Sequence, residues 1–280
     1  MRSLGALLLA SGCYTPHATT GAPCSPALDN CPAGQTCAVL GRMSVCVEGS
    51  PTADAPIVGD APRDAPRVID APRDAAVPAW TLVQTASSTT PNVTVSPTGA
   101  GHLIIVAVQF QPGNGGGVQL VTDSAGGMYT AVPGSSASNA GANLAVQLWY
   151  LADSHAGAMS IAASSATFRG VAIWEVAGMR TTNPIDVAAI RNDGTSSTTP
   201  NGAPVTTTAA GDFIVSAAIV ANNVTGTVAG NEFTNDALPN GNGFAHLTAP
   251  RAPTGLHQAR WDQPMAGVYC SSTAAFFVAP

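Results

Sequence analysis

The stretch at residues 51–78 constrains this chain more than any other. Asp-Ala-Pro starts at Asp54, Asp60, Asp64 and Asp70, and the last three copies continue into Arg. Its six prolines interrupt any helix and deny donors to any sheet. Beyond Ile57, Val58, Val68, Ile69 and Val77 it holds nothing apolar larger than alanine, so it cannot build a core. Repetitive Ala/Pro/Asp/Arg stays extended and solvated, partly as polyproline II. At about 3.1 Å per residue it spans at most roughly 85 Å. The expected layout is a signal peptide at 1–12, a Cys-rich segment at 13–50, a disordered linker at 51–78 and a large domain at 79–280.

That last part, about 200 residues, is long enough to bury roughly 70% of its unfolded surface. Charged residues make up only 9% of the chain, there is no lysine, and the formal net charge is −6. Solubility must come from Ser, Thr, Asn and Gly, a habit of exported β-rich proteins. Without a basic stripe the counterion-release drive for nucleic acid is missing, so no nucleic-acid partner is expected. An anionic membrane surface would not attract the chain either.

Met1-Arg2-Ser3 precedes the apolar run Leu4-Gly5-Ala6-Leu7-Leu8-Leu9-Ala10, followed by Ser11-Gly12-Cys13. A charged start, a short apolar core and small residues before a cleavage point make a secretory signal. Ending in Ala-Ser-Gly-Cys, it resembles the lipobox of bacterial lipoproteins, although Ala10 stands where that family favours Leu. The resemblance implies that Cys13 is acylated and becomes the first residue of the mature chain. It also implies that Tyr14, rather than Asp, directs the protein to the outer membrane or cell surface. Several acyl chains, at about 0.8 kcal/mol per buried CH₂, make a stable anchor. A membrane reached through lipid is thus an expected partner.

Cys24, Cys31, Cys37 and Cys46 follow within one short segment. In an exported chain, so small a piece with four cysteines reads as disulfide-stapled, with three pairings open. A zinc site would want Cys-x₂-Cys pairs, which are lacking. The spacing loosely resembles the first four cysteines of EGF-like modules. That resemblance implies the crossed pairing Cys24–Cys37 and Cys31–Cys46.

From Ala79 onward, short apolar runs alternate with Gly, Asn, Ser and Pro, and no 3.6-residue period appears. Strands are predicted at 80–85, 92–96, 102–110, 118–123, 128–132, 143–151, 158–163, 168–177, 212–221, 244–249 and 267–278. Such spacing indicates an all-β, antiparallel β-sandwich or barrel. The run 102–110 is apolar on both faces and should be central. In 143–151, Leu144, Val146, Leu148 and Tyr150 share one side, Gln147 and Trp149 the other. Asp123 to Gly127 has the composition of a hairpin loop with a glycine bulge.

Ser88-Thr89-Thr90-Pro91-Asn92 recurs as Ser197-Thr198-Thr199-Pro200-Asn201, and each copy leads to a glycine (Gly101, Gly211) and an apolar strand. Two related halves of about 100 residues are expected, closing as one jelly-roll-like sandwich; two immunoglobulin-like sandwiches in tandem are the alternative. Gly101 to Val108, Val121-Thr122-Asp123-Ser124-Ala125-Gly126, Leu148-Trp149-Tyr150 and Gly157 to Ile161 together resemble a β-sandwich module of secreted bacterial proteins. The resemblance implies fold and export, not a ligand.

No nucleophile elbow, His-Glu-x-x-His or phosphate-cradling glycine loop is present. The glycine run at 113–117 lies between strands and reads as a hairpin loop. His102, His155, His246 and His257 have no ligand spacing and read as structural or surface residues. Glycosidases need two facing carboxyls; of the candidates, Asp123, Asp153 and Asp212 fit turns or strand starts. Glu175 is expected in solvent, with Trp174, Ala172 and Val176 packed inside; on an inward face it would need a partner such as Arg169 or Arg180. Sugar-binding sandwiches use exposed aromatic platforms, for which Trp149 beside Gln147 and Trp261 beside Asp262 are the candidates. The Asn222-Asn223 and 235–242 loops are oxygen-rich but lack calcium-loop spacing. No metal or cofactor is therefore expected. Cys270 reads as a buried strand residue acting as a small hydrophobe.

The expected function is non-catalytic: an envelope lipoprotein displaying a binding or adhesion module for a glycan or another envelope component. A structural coat protein is the second expectation. A secreted hydrolase using Glu175 or Asp262 is the third.

Overall fold

In a computed structural model of the chain, the described residues are 31, 35–40, 43–48, 79–113, 117–164, 167–192 and 195–280. Residues 1–30, with Cys13 and Cys24, and the linker at 51–78 lie outside them. The chain divides into two units, each taken by itself.

The described part of the first unit is an antiparallel hairpin of β1 (Gln35–Leu40) and β2 (Met43–Glu48), with Cys37 opposite Cys46 in the ladder. Cys46 is buried and disulfide-bonded to Cys31, their Cα atoms 5.6 Å apart. Cys37 is also disulfide-bonded. The Cys31–Cys46 bond is one of the two that EGF-like spacing implies; Cys24, needed for the other, is outside the described residues.

The second unit is all-β and built twice. Its first half runs β3 (Thr81–Ser88), β4 (Asn92–Thr94), β5 (Leu103–Phe110), β6 (Leu120–Asp123), β7 (Thr130–Ala131), β8 (Ala137–Asn139), β9 (Leu144–Leu151), β10 (Ser160–Ser164) and β11 (Phe168–Ala177). A large antiparallel sheet has the order β3-β11-β5-β9-β7, with β8 also on β9, and a small one the order β4-β10-β6. The second half runs β12 (Ile185–Arg191), β13 (Val205–Thr206), β14 (Phe213–Val220), β15 (Gly226–Thr227), β16 (Phe233–Ala237), β17 (Gly243–Leu247), β18 (Leu256–His257), β19 (Trp261–Asp262) and β20 (Tyr269–Phe276). Its large sheet, β12-β20-β14-β17-β16, repeats the order of the first: opening strand, closing strand, then the strand after the repeated glycine. The role of β10 is divided between two short pieces, β18 on β13 and β19 on β15. Even the local chemistry repeats. Thr90 N–H donates to Ser88 Oγ at 2.9 Å, and Thr199 N–H to Ser197 Oγ at 3.0 Å.

The halves share no sheet among the described residues; they share a core. Leu103, Ile105, Leu148 and Trp174 of the first large sheet pack with Phe213, Val215, Phe244 and Phe276 of the second. Three aromatic pairs cross this layer: Trp80–Phe213, Tyr150–Phe276 and Trp174–Phe244, with centroids 4.8, 6.2 and 6.3 Å apart. The other face of each large sheet is covered by its own small strands, through Ile104, Val106, Val121 and Ile161 in one half and Ile214, Phe233, Leu247 and Trp261 in the other. The arrangement is thus four layers, not the single two-layer sandwich expected. The physical reason is that both faces of β5 and β14 are apolar, and two layers leave one face of each wet.

β5 is fully buried and central, as its sequence predicts. The Asp123 turn also forms. Its Oδ1 accepts from Ala125 N–H at 2.9 Å and Gly127 N–H at 2.8 Å, and Gly126 has φ +85°. Strands without a sequence signal were β8, β12, β13, β15, β16, β18 and β19; most are two or three residues long and rich in Gly, Thr, Asn or Asp.

Candidate functional site

Where the halves meet, the structure forms a cleft of about 360 Å³. Its floor is apolar, with Leu144 from β9 and Ile219 from β14; its walls carry Gln111, Arg169, Asn223 and Asn240. Arg169 lies where the ladder between β11 and β5 shifts register between Phe168 and Gly170, and such a bulge re-aims a side chain. Asn240 sits in a short 3₁₀ turn, Pro239–Gly241, in the left-handed conformation (φ 52°), and its amide donates to the carbonyl of Arg169. Beside it a Cβ at Gly170 would lie 3.1 Å from Gln109 Oε1 and in ordinary contact, 3.4 Å, with Pro239 Cγ. Behind it Asn242 is buried, its Oδ1 accepting from Val220 N–H at 3.0 Å. Gln109 pins the halves nearby through Nε2 donating to Ala218 O at 2.9 Å.

Three side chains on the cleft wall have unused hydrogen-bonding capacity. The Arg169 guanidinium, the Gln111 amide and the Asn223 amide make no side-chain hydrogen bond or ion pair among the described residues. One permanent positive charge, two amides and an apolar floor suit a ligand with acidic and hydroxyl groups. The cleft opens beside a smaller one that adds Pro264 and the exposed Met265.

Elsewhere, polar groups are committed to the fold. Glu175 is fully buried, contrary to the expectation that it is wet, because its side of β11 is covered by β4, β6 and β10. Its partners are not arginines. Oε1 accepts from Gly99 N–H at 2.7 Å and bonds His102 Nδ1 at 2.6 Å, while Oε2 accepts from Gln84 Nε2 at 2.5 Å. Trp174, Ala172 and Val176 do pack together on the opposite face, in the core between the halves. Asp236 bridges that core. Its Oδ2 accepts from Trp174 Nε1 at 2.7 Å and its Oδ1 bonds His246 Nδ1 at 2.7 Å. His257 pairs with Glu232 at 3.0 Å. Three of the four histidines at 79–280 are therefore held by carboxylates within the fold; His155 is exposed.

Asp212 differs from these. It is 2% exposed, no donor among the described residues reaches either carboxylate oxygen, and Asp186 lies within hydrogen-bonding reach. Burial, with Asp186 beside it, pushes its carboxyl up to about 8. Thr208 donates to Asp186 through N–H at 2.7 Å and Oγ1 at 2.5 Å.

The aromatic candidates do not form a platform. Trp149 (7% exposed) and Trp261 (0%) belong to the outer core layers of different halves. Trp261 packs on Gly243, where a Cβ would lie 2.6 Å from its Nε1. Gln147 is half-buried and Asp262 exposed; the four residues share no surface. The correction has a plain cause: strand alternation places a residue on a face, but not whether another layer covers that face. The cleft was missed because its residues come from loops and strand ends of both halves, joined by no spacing in sequence. Cys270 is fully buried among the core residues, and burial pushes its thiol up to about 12.

Among the described residues no helix is long and apolar enough to cross a membrane, and no three His, Cys, Asp or Glu residues cluster. Compared with known protein families, characterised proteins and solved structures, the chain matches none of them.

Proposed function

We propose that this protein is a cell-envelope lipoprotein, anchored through acylated Cys13 and exposed at the outer membrane or cell surface. Its domain at 79–280 is read as two jelly-roll-like sandwiches, held off the membrane by the 51–78 spacer. Its task is non-catalytic binding of an acidic glycan or a similarly acidic, hydroxyl-rich envelope component. The supporting observation is the inter-half cleft, where the Arg169 guanidinium and the amides of Gln111 and Asn223 stand without side-chain partners among the described residues. The repeated strand order supports the jelly-roll reading: in each half the opening strand pairs with the closing one, and the second strand pairs with β10 in the first half and with β18, one of the two pieces that take the place of β10, in the second. A tether raises the effective concentration of such a binder at its surface.

The test is binding of residues 79–280 to a panel of acidic and neutral polysaccharides. Acidic members should bind, and Arg169→Ala should weaken binding about tenfold or more, since charge-assisted hydrogen bonds contribute roughly 1.5–3 kcal/mol. Binding indifferent to Arg169→Ala and Asn223→Ala, or to the charge of the glycan, would rule the cleft out. The anchor is tested separately by fatty-acid labelling of cells expressing wild type and Cys13→Ser; label persisting on the variant excludes it.

A further inference from the structure

We propose that Asp186 and Asp212 hold a divalent cation of the oxygen-seeking class, calcium, at the edge of the second half. The argument comes from comparing one place in the two halves. The ladders set Ile104 opposite Glu175 in the first half and Ile214 opposite Ala275 in the second. His102 and Asp212, each two residues earlier and each just after the repeated glycine, therefore occupy equivalent positions. Gln84 opposite Glu175 likewise corresponds to Val187 opposite Ala275.

A loop amide repeats as well. Thr98 N–H bonds Ala158 O and Thr207 N–H bonds Gly255 O, which makes Gly99 and Thr208, the next residues, equivalent. Gly99 N–H donates to Glu175, and Thr208 N–H donates to Asp186, each at 2.7 Å. In the first half this place contains one carboxylate and three donors: an amide N–H, an imidazole and a glutamine. In the second half the imidazole has become a carboxylate and the glutamine a valine, while the register shift between Ile185 and Val187 turns in a second carboxylate, Asp186. The place has gained a negative charge, and with only the Thr208 hydroxyl added for the two donors lost it has one donor fewer, both remaining donors being spent on Asp186.

That deficit falls on Asp212, 98% buried by its 2% exposure, whose two oxygens meet no donor among the described residues and which faces Asp186. Two facing acceptors need something positive between them. Arg180, the cation acting on Asp212, is exposed, has its guanidinium 4.4 Å from the centre of the Phe277 ring, and makes no ion pair among the described residues. A proton offsets one charge; calcium offsets both. Thr208 keeps Asp186 oriented, and both are open enough for water to complete the roughly six to eight oxygens calcium takes.

The experiment is calorimetric titration of chelator-treated 13–280 protein with CaCl₂ at pH 8.5. The expected result is one saturable site, with affinity falling at least tenfold in Asp212→Asn and in Asp186→Asn. Asparagine matches the shape of the carboxyl, and Asp186 is only half-buried, so it decides the matter if the Asp212 variant does not fold. No saturable calcium binding up to millimolar concentration, or binding unchanged in Asp186→Asn, would overturn the proposal.

Discussion

Asp212 gives the second half a dependence on pH whose sign can be worked out. Its native carboxyl titrates at about 8, against an ordinary 3.8. Between those values the native state holds a proton that the unfolded chain has released, so stability falls as pH rises from about 4 to about 8 and levels above that. Urea unfolding in chelator at several pH values should show this decline, and Asp212→Asn should flatten it. Glu175, unlike Asp212, has partners at both carboxyl oxygens: Gly99 N–H and His102 at Oε1 and Gln84 at Oε2. Glu175→Ala should cost about 3–5 kcal/mol, the order seen when one member of a buried pair is removed. Cys270, raised to about 12 and enclosed by core residues, should resist alkylation at pH 8 and react only as the protein unfolds. Labelling followed by mass spectrometry across a denaturant series measures this. The residue types at these positions were legible in the sequence, but their partners were not. His102 and Glu175 are 73 residues apart and meet only because β5 and β11 are neighbours.

Long strands were easy to read and short ones were not. The runs at β5, β9, β11, β14 and β20 have apolar residues on one or both faces, and their existence needs no tertiary information. The paired two-residue pieces β13 with β18 and β15 with β19 have no pattern of their own; they are strands only because a partner lies alongside. The elements of the two halves are joined by specific polar struts as well as by apolar contact. Trp174 on β11 donates to Asp236 on β16 across the shared core. Trp174→Phe keeps most of the ring but removes the donor, and should cost about 1–3 kcal/mol, because the Asp236 carboxylate is then left short of a partner. Chemical denaturation compares the two directly. Gly243→Ala should be destabilising for a steric reason, since the indole of Trp261 occupies the space a Cβ would need.

Neither half of the 79–280 unit can be complete alone. Each large sheet has one face covered by its own short strands and the other covered only by its counterpart, so a fragment covering 79–180 would expose Leu103, Ile105, Leu148 and Trp174 together. Such a fragment should aggregate or dimerise, and the intact unit should unfold in one transition; light scattering on the fragment and calorimetry on the intact unit would show it. By itself the sequence determined the all-β class, the duplication and the central strands, because these depend on local periodicity. Only the tertiary structure decided which faces are wet. The short strands laid over each large sheet buried Glu175, Trp149 and Trp261, and the meeting of the halves opened a cleft around Arg169, because burial belongs to the layer laid over a strand and not to the strand's own residues.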